Sequence, residues 1–166
     1  MSSVPKRSEL RAAVEDVLYA SAVHLDSQKF ESWLQLTAPE FRYRITSYSH
    51  DLRKDMTWLD HDRAGLTALL AILPKHHVNG AQWLRQTVLY TLDDDGPDAV
   101  RAVSSLAVFQ TVLDVGDAHV DGGSSRLFAA GHYQDRLRLE GGRFLLSDRN
   151  VRLDTRQLGI GSHLIP

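Results

Sequence analysis

Apolar and polar positions along this chain change period near the Asn79-Gly80 turn signal, from a helical spacing before it to a two-residue alternation after it. In the first half, Ser8 stands as a cap with Glu9 in the first turn, and Leu10, Val14, Val17, Leu18 and Leu25 form one helical stripe. Asp26 or Ser27 then fits as the cap of a short second helix carrying Phe30, Trp33 and Leu34, a region that Pro39 ends. Phe41, Tyr43 and Ile45 alternate with Arg42, Arg44 and Thr46, which predicts a half-buried strand over 41–49. Residues 50–57 read as a polar connection. Asp60 reads as the cap of a third helix, with Leu66, Leu69, Leu70 and Leu73 on one face and Pro74 as its stop.

The second half is strand. Trp83–Leu92 and Ala99–Leu113 flank the turn DDDGPD, and a glycine-rich loop, 114–125, leads into a long final hairpin. In its first run Leu127, Ala129, Gly131, Tyr133, Asp135, Leu137 and Leu139 share one face, and Gly131 marks a bulge or bend. Glu140-Gly141-Gly142 supplies the tight turn, and the return run carries Phe144, Leu146, Val151 and Leu153. Helices followed by long antiparallel strands define an α+β fold, a strongly curved and mostly antiparallel sheet wrapped around about three helices. All of 1–166 reads as one domain, without repeat or linker. Such a cone either encloses a pocket or is packed solid, and periodicity does not choose.

Charge and composition narrow the chemistry. A net charge of −2 argues against a nucleic-acid binder, and no apolar run is long enough to span a membrane. The polar N-terminus lacks a signal peptide's apolar core, which leaves a cytoplasmic address as the expectation. With no cysteine, thiolate metal sites, iron–sulfur ligation and cysteine nucleophiles are excluded within this chain. The eight histidines are scattered without metal-ligand spacing. Trp58-Leu59-Asp60-His61-Asp62-Arg63 is denser, but neighbours on a helix do not face each other, so capping and a surface role fit it better than an acid/base pair. Arg149, Arg152 and Arg156, with Asp148 and Asp154, put charge on a strand expected to be central. Either a subunit interface or a solvated sheet face accounts for them. The ending LGIGSHLIP is apolar and is expected to tuck against the domain or a neighbouring subunit.

Three stretches together resemble a known family: LDSQKFESWLQLTAPEFRYRI, DMTWLDHDRAGL and FAAGHYQDRLRLEGGRFLLSDRNVRLDT. The last is the most specific, through Gly131, Tyr133, Asp135 and Leu137, then Arg149, Val151, Leu153 and Asp154. The chain resembles the small (β) subunits of Rieske-type aromatic-ring-hydroxylating oxygenases, in the nuclear transport factor 2-like superfamily. The resemblance implies a cone-shaped, mainly structural subunit with no cofactor, catalytic or metal residue of its own. It implies assembly with other β subunits and with an α subunit that carries a Rieske [2Fe-2S] cluster and a mononuclear Fe(II), as α3β3. Electrons would arrive indirectly from a ferredoxin and reductase. Trp58, Asp60, His61, Arg63, Arg149, Arg152 and Asp154 are then the candidate interface residues. The segment 51–56, the His76-His77 pair and the ending depart from the main aromatic-ring groups, and a methanesulfonate monooxygenase-like relative is one reading of that. The alternative is a stand-alone isomerase, dehydratase or cyclase of the same fold, with an acid/base pair drawn from Tyr19, Asp26, His61 and His132; a ligand-binding module without chemistry is a third.

Overall fold

The computed structural model describes residues 7–76, 81–113, 122–157 and 165–166, without the side chains of 74–76. The N-terminal helical period is α1 (Arg7–Asp26), already formed at Arg7, so Ser8 lies within it and is not its cap. Gln28, at φ 54°, turns the chain into α2 (Phe30–Leu34), which takes no side-chain cap: Asp26 is engaged elsewhere. β1 (Thr37–Ser49) includes Pro39, which was expected to lie before the strand. The second half of the expected polar connection belongs to a further strand, β2 (Lys54–Asp62), antiparallel to β1. Asp60 therefore lies in a strand. The cap of α3 (Arg63–His76) is Asp62, whose Oδ1 accepts the Gly65 N–H at 2.8 Å. α3 runs past Pro74. His77, the Asn79-Gly80 turn signal and most of the 114–125 loop lie outside the described residues.

β3 (Ala81–Asp94), β4 (Ala99–Val112), β5 (Ser125–Glu140) and β6 (Arg143–Leu153) follow as antiparallel neighbours. The six strands form one sheet in the order β2-β1-β6-β5-β4-β3, and β1 lies parallel to β6. This is the expected α+β architecture. The inner face carries the core, where Val14, Leu18 and Leu25 of α1 and Leu66, Leu70 and Leu73 of α3 meet Phe41, Tyr43, Val108, Ala129, Leu137 and Val151. Trp33 stacks edge-on against both Phe41 and Tyr43, centroids 5.9 Å apart in each pair.

Bulges bend the sheet around the helices. The registers leave one extra residue at Trp58 in β2, Tyr90 in β3, Phe128 in β5 and Ser147 in β6. The bulge at Phe128 reverses the alternation expected for that strand's start. Phe128 turns into the core and Leu127, expected inside, is 55% exposed. Gly131, the expected bulge site, has a different duty. A Cβ there would lie 2.1 Å from the Arg152 carbonyl oxygen, so glycine is what allows β5 and β6 to approach where they bend.

Gly131→Ala is accordingly expected to cost about 1–3 kcal/mol, read as a lower urea midpoint. A variant as stable as the parent would contradict this account of the bend.

Candidate functional site

The inner face of the sheet holds more than an apolar core. On β6 the bulge at Ser147 displaces the pairing with β5 by one residue, so that Asp135 lies opposite Arg149. Both side chains are fully buried. Arg149 donates from Nε to Oδ1 at 2.7 Å and from Nη2 to Oδ2 at 2.8 Å, a bidentate pair. Its Nη1 reaches the Ser21 hydroxyl of α1 at 2.9 Å, and that same oxygen accepts the Trp33 indole N–H at 2.7 Å. The guanidinium also lies over the Tyr133 ring, 3.9 Å from its centroid. Burial works against the charge on Arg149, but the Asp135 carboxylate and its hydrogen bonds outweigh burial and hold the guanidinium above its ordinary range. Burial pushes the Asp135 carboxyl up while Arg149 pulls it down. The two parallel N–H···O bonds fit the ionised pair.

A second buried arginine sits on β3. The Arg85 guanidinium donates to Asp26 at 2.5 Å, and the same carboxylate accepts the Arg85 backbone N–H at 3.0 Å. Its Nη2 donates to the Ile165 carbonyl, and the Tyr43 hydroxyl donates to the Pro166 backbone oxygen at 2.7 Å. The described part of the tail thus tucks against its own chain, as expected. Burial raises the phenols of Tyr43 and Tyr133 above their ordinary value, so both are neutral donors.

The acid/base candidates are not brought together. Tyr19 is exposed on α1, and Asp26 is committed to Arg85. His132 faces outward from β5 against Tyr90, and His61 packs over Gly65 at the foot of α3. Among the described residues no group of three or more His, Asp and Glu is placed to hold a metal ion.

Of the surface candidates, Trp58 is 41% exposed at the bulge of β2, whose residues are open on both faces. Asp60 takes Arg42 in two hydrogen bonds, 2.7 and 2.6 Å, and Arg152 pairs with Asp55 at 3.0 Å. Arg63 secures the entry to α3 through Thr37 Oγ1 and the Leu34 carbonyl. Asp154 lies just past β6, its N–H on the Ala130 carbonyl. Arg149 differs from this set: charge grouped it with Arg152, but it shares the parity of Val151 and Leu153 and is buried with them on the inner face. Three charges of the final strand are answered within the chain, Arg152 by Asp55, Asp148 by Arg44 and Arg149 by Asp135.

The interior cluster was not anticipated as a unit. Its one legible signal was an aspartate and an arginine on facing strands of the same hairpin, and a mirror count from the glycine turn sets Asp135 against Asp148 instead. Arg85 stood inside an alternating strand, a charge on its apolar face, and nothing local named Asp26 as its partner.

An α+β cone whose buried charges are paired with one another belongs to a class that serves both enzymes and assembly subunits. Residues 20–159 match the model of the ring hydroxylating beta subunit family, and the chain belongs to that family. It is 42% identical to the methanesulfonate monooxygenase hydroxylase subunit beta of Methylosulfonomonas methylovora, over 91% of this chain and 84% of that one. It is 28% identical to the 2-aminobenzenesulfonate 2,3-dioxygenase subunit beta of an Alcaligenes species, over 92% and 96% respectively. The crystal structure of the beta subunit of benzoate 1,2-dioxygenase from Burkholderia mallei superposes with a TM-score of 0.70 at 12% identity, covering 99% of this chain and 100% of that one.

Removing Arg149 alone leaves a buried carboxylate unanswered. Arg149→Met is expected to cost about 3–5 kcal/mol, whereas Arg149→Met with Asp135→Leu recovers much of that loss. Urea unfolding of the set measures it, and a double variant no more stable than Arg149→Met would refute the pairing. At the surface, the Arg42 hydrogen bonds hold the Asp60 carboxyl below its ordinary range. Asp60 therefore stabilises the fold above its unfolded-state value of about 4, and this contribution disappears as pH falls through the lower folded-state value. A carboxyl NMR titration is expected to show Asp60 shifting back up in Arg42→Gln; an unchanged titration would contradict the assignment.

Proposed function

We propose that this chain is the cofactor-free, structural small subunit of a multicomponent Rieske non-haem iron oxygenase. The observation that carries this reading is the state of the interior. Where an enzyme of this shape would hold a free acid and base, Arg149 is paired with Asp135, Arg85 with Asp26, and the Tyr43 hydroxyl is given to the tail. The chemistry of the donor set agrees. A Rieske cluster takes two cysteines and two histidines, and this chain has no cysteine. The cluster and the mononuclear iron then belong to a larger α partner, in an α3β3 assembly supplied by a ferredoxin and reductase in the cytoplasm. Both relatives named above carry a sulfonate substrate in their names, which supports a small or sulfonated substrate for the complex, bound by the partner.

β2 is the partner-facing element of this proposal. It is an edge strand with both faces open, and it carries Met56 and Trp58 with Leu52 just before it. Tryptophan and methionine are enriched where protein surfaces meet, and a half-exposed tryptophan is an anchor in search of a pocket. Asp60, His61, Arg63, Arg152 and Asp154 frame it.

Tagged chain recovered from its source is expected to bring down a partner of more than twice its mass and a brown, Rieske-type absorption; a colourless self-associated protein would overturn the reading. Within the complex, Trp58→Ala, Asp60→Ala and His61→Ala are expected to reduce recovered assembly more than turnover per iron. Full assembly with turnover per iron lowered more than about a hundredfold would instead mean a catalytic role.

A further inference from the structure

Ile165 and Pro166 belong to no helix or strand, yet both are buried, and Ile165 joins the main core cluster. Two buried donors converge on their backbone oxygens. Tyr43, on β1, gives its hydroxyl to Pro166, and Arg85, on β3, gives Nη2 to Ile165. In the sheet order three strands separate β1 from β3, so only the curvature brings these two side chains to neighbouring residues. Arg85 is held for the task. Asp26 takes both its backbone N–H and its Nη1, fixing the plane of the guanidinium and leaving Nη2 directed at the tail. Around this point the Tyr133 hydroxyl and Arg85 Nε are buried without a hydrogen-bond partner among the described residues. The place is therefore built of fixed donors and apolar walls before the tail is counted. Besides Asp26, the acceptors that Tyr43 and Arg85 meet here are the two backbone oxygens of the tail.

We propose that the inside of the curved sheet is a receptor for a short apolar peptide segment, recognised by Tyr43 and Arg85 through two consecutive backbone oxygens and by the core through an isoleucine-sized side chain. The chain's own residues 165–166 are its resident occupant. Losing them strands two buried donors, each costly to leave unmade. The tail is thus a ligand held in cis, which excludes free peptides by its high effective concentration. This inference stands independently of the assembly proposed above.

The test uses the full chain carrying Ile165→Asp, which puts a carboxylate in the apolar seat and displaces the tail, with a fluorescent synthetic peptide of residues 162–166 as the probe. The variant is expected to bind the peptide at least tenfold more tightly than the parent, whose seat is filled. Adding Arg85→Lys or Tyr43→Phe to the variant is expected to weaken binding at least tenfold. A folded variant that binds no peptide, or binds it no better than the parent, overturns the proposal. If Ile165→Asp does not fold, Tyr43→Phe in the otherwise unchanged chain decides, with isoleucine methyl groups labelled for NMR. The Ile165 methyl resonance is expected to move toward its solvent-exposed position in that variant, and an unmoved resonance overturns the proposal.

Discussion

A guanidinium sealed from water must have its charge answered within a few ångströms, and at Arg149 that requirement joins four elements. Asp135 on β5 supplies the carboxylate, Ser21 on α1 the remaining acceptor, and Trp33 on α2 shares that acceptor. The helices are therefore set on the sheet by direction as well as by burial, because a hydrogen bond specifies an angle that methyl groups do not. The pair depends in turn on one extra residue. Without the bulge at Ser147, the hairpin would set Asp135 against Asp148, two carboxylates with no cation between them. A shift of one position replaces that repulsion with a bidentate pair.

The same interior bears on function. Curved sheets of this shape host catalysts and assembly subunits alike, and the distinction lies in what the concave face offers. Here its buried arginines are paired with carboxylates, and Tyr43 and Arg85 also engage the described part of the tail. Turned outward is the exposed edge strand β2 with its bulged tryptophan. Charges turned inward and paired, with an open edge strand turned outward, suit a chain whose contribution is made to a complex.

Much of the fold was legible from residue spacing. The stripe of α1, the leucines of α3 and the long strands after residue 81 are strong periodic signals, and the glycine turn at 141–142 fixed the last hairpin. Failures came where tertiary pairing overrides local pattern. Asp60 looks like a cap because a helix follows, but β1 recruits its whole segment as a strand and Asp62 takes the capping position. Leu127 and Phe128 exchanged places because a bulge inverts alternation, and a single extra residue leaves no mark in composition. Arg149 shares the parity of Val151 and Leu153, but Asp135 is set opposite it only by the bulge at Ser147. The buried pairs were illegible for another reason, since Asp26 and Arg85 lie 59 positions apart and meet only through the curvature of the sheet.

β1 is hydrogen-bonded on one side to β2, its neighbour in sequence, and on the other, in parallel, to β6, the last strand. The N-terminal hairpin therefore has no place in the sheet until the C-terminal strand exists. During synthesis the first 62 residues must wait with an unpaired edge while nearly all of the remaining chain emerges. Contacts this distant in sequence make folding slow and late-closing. A chain cut short before β6 would lose more than one strand, because Tyr43, Phe41 and Trp33 would then have no sheet to close upon.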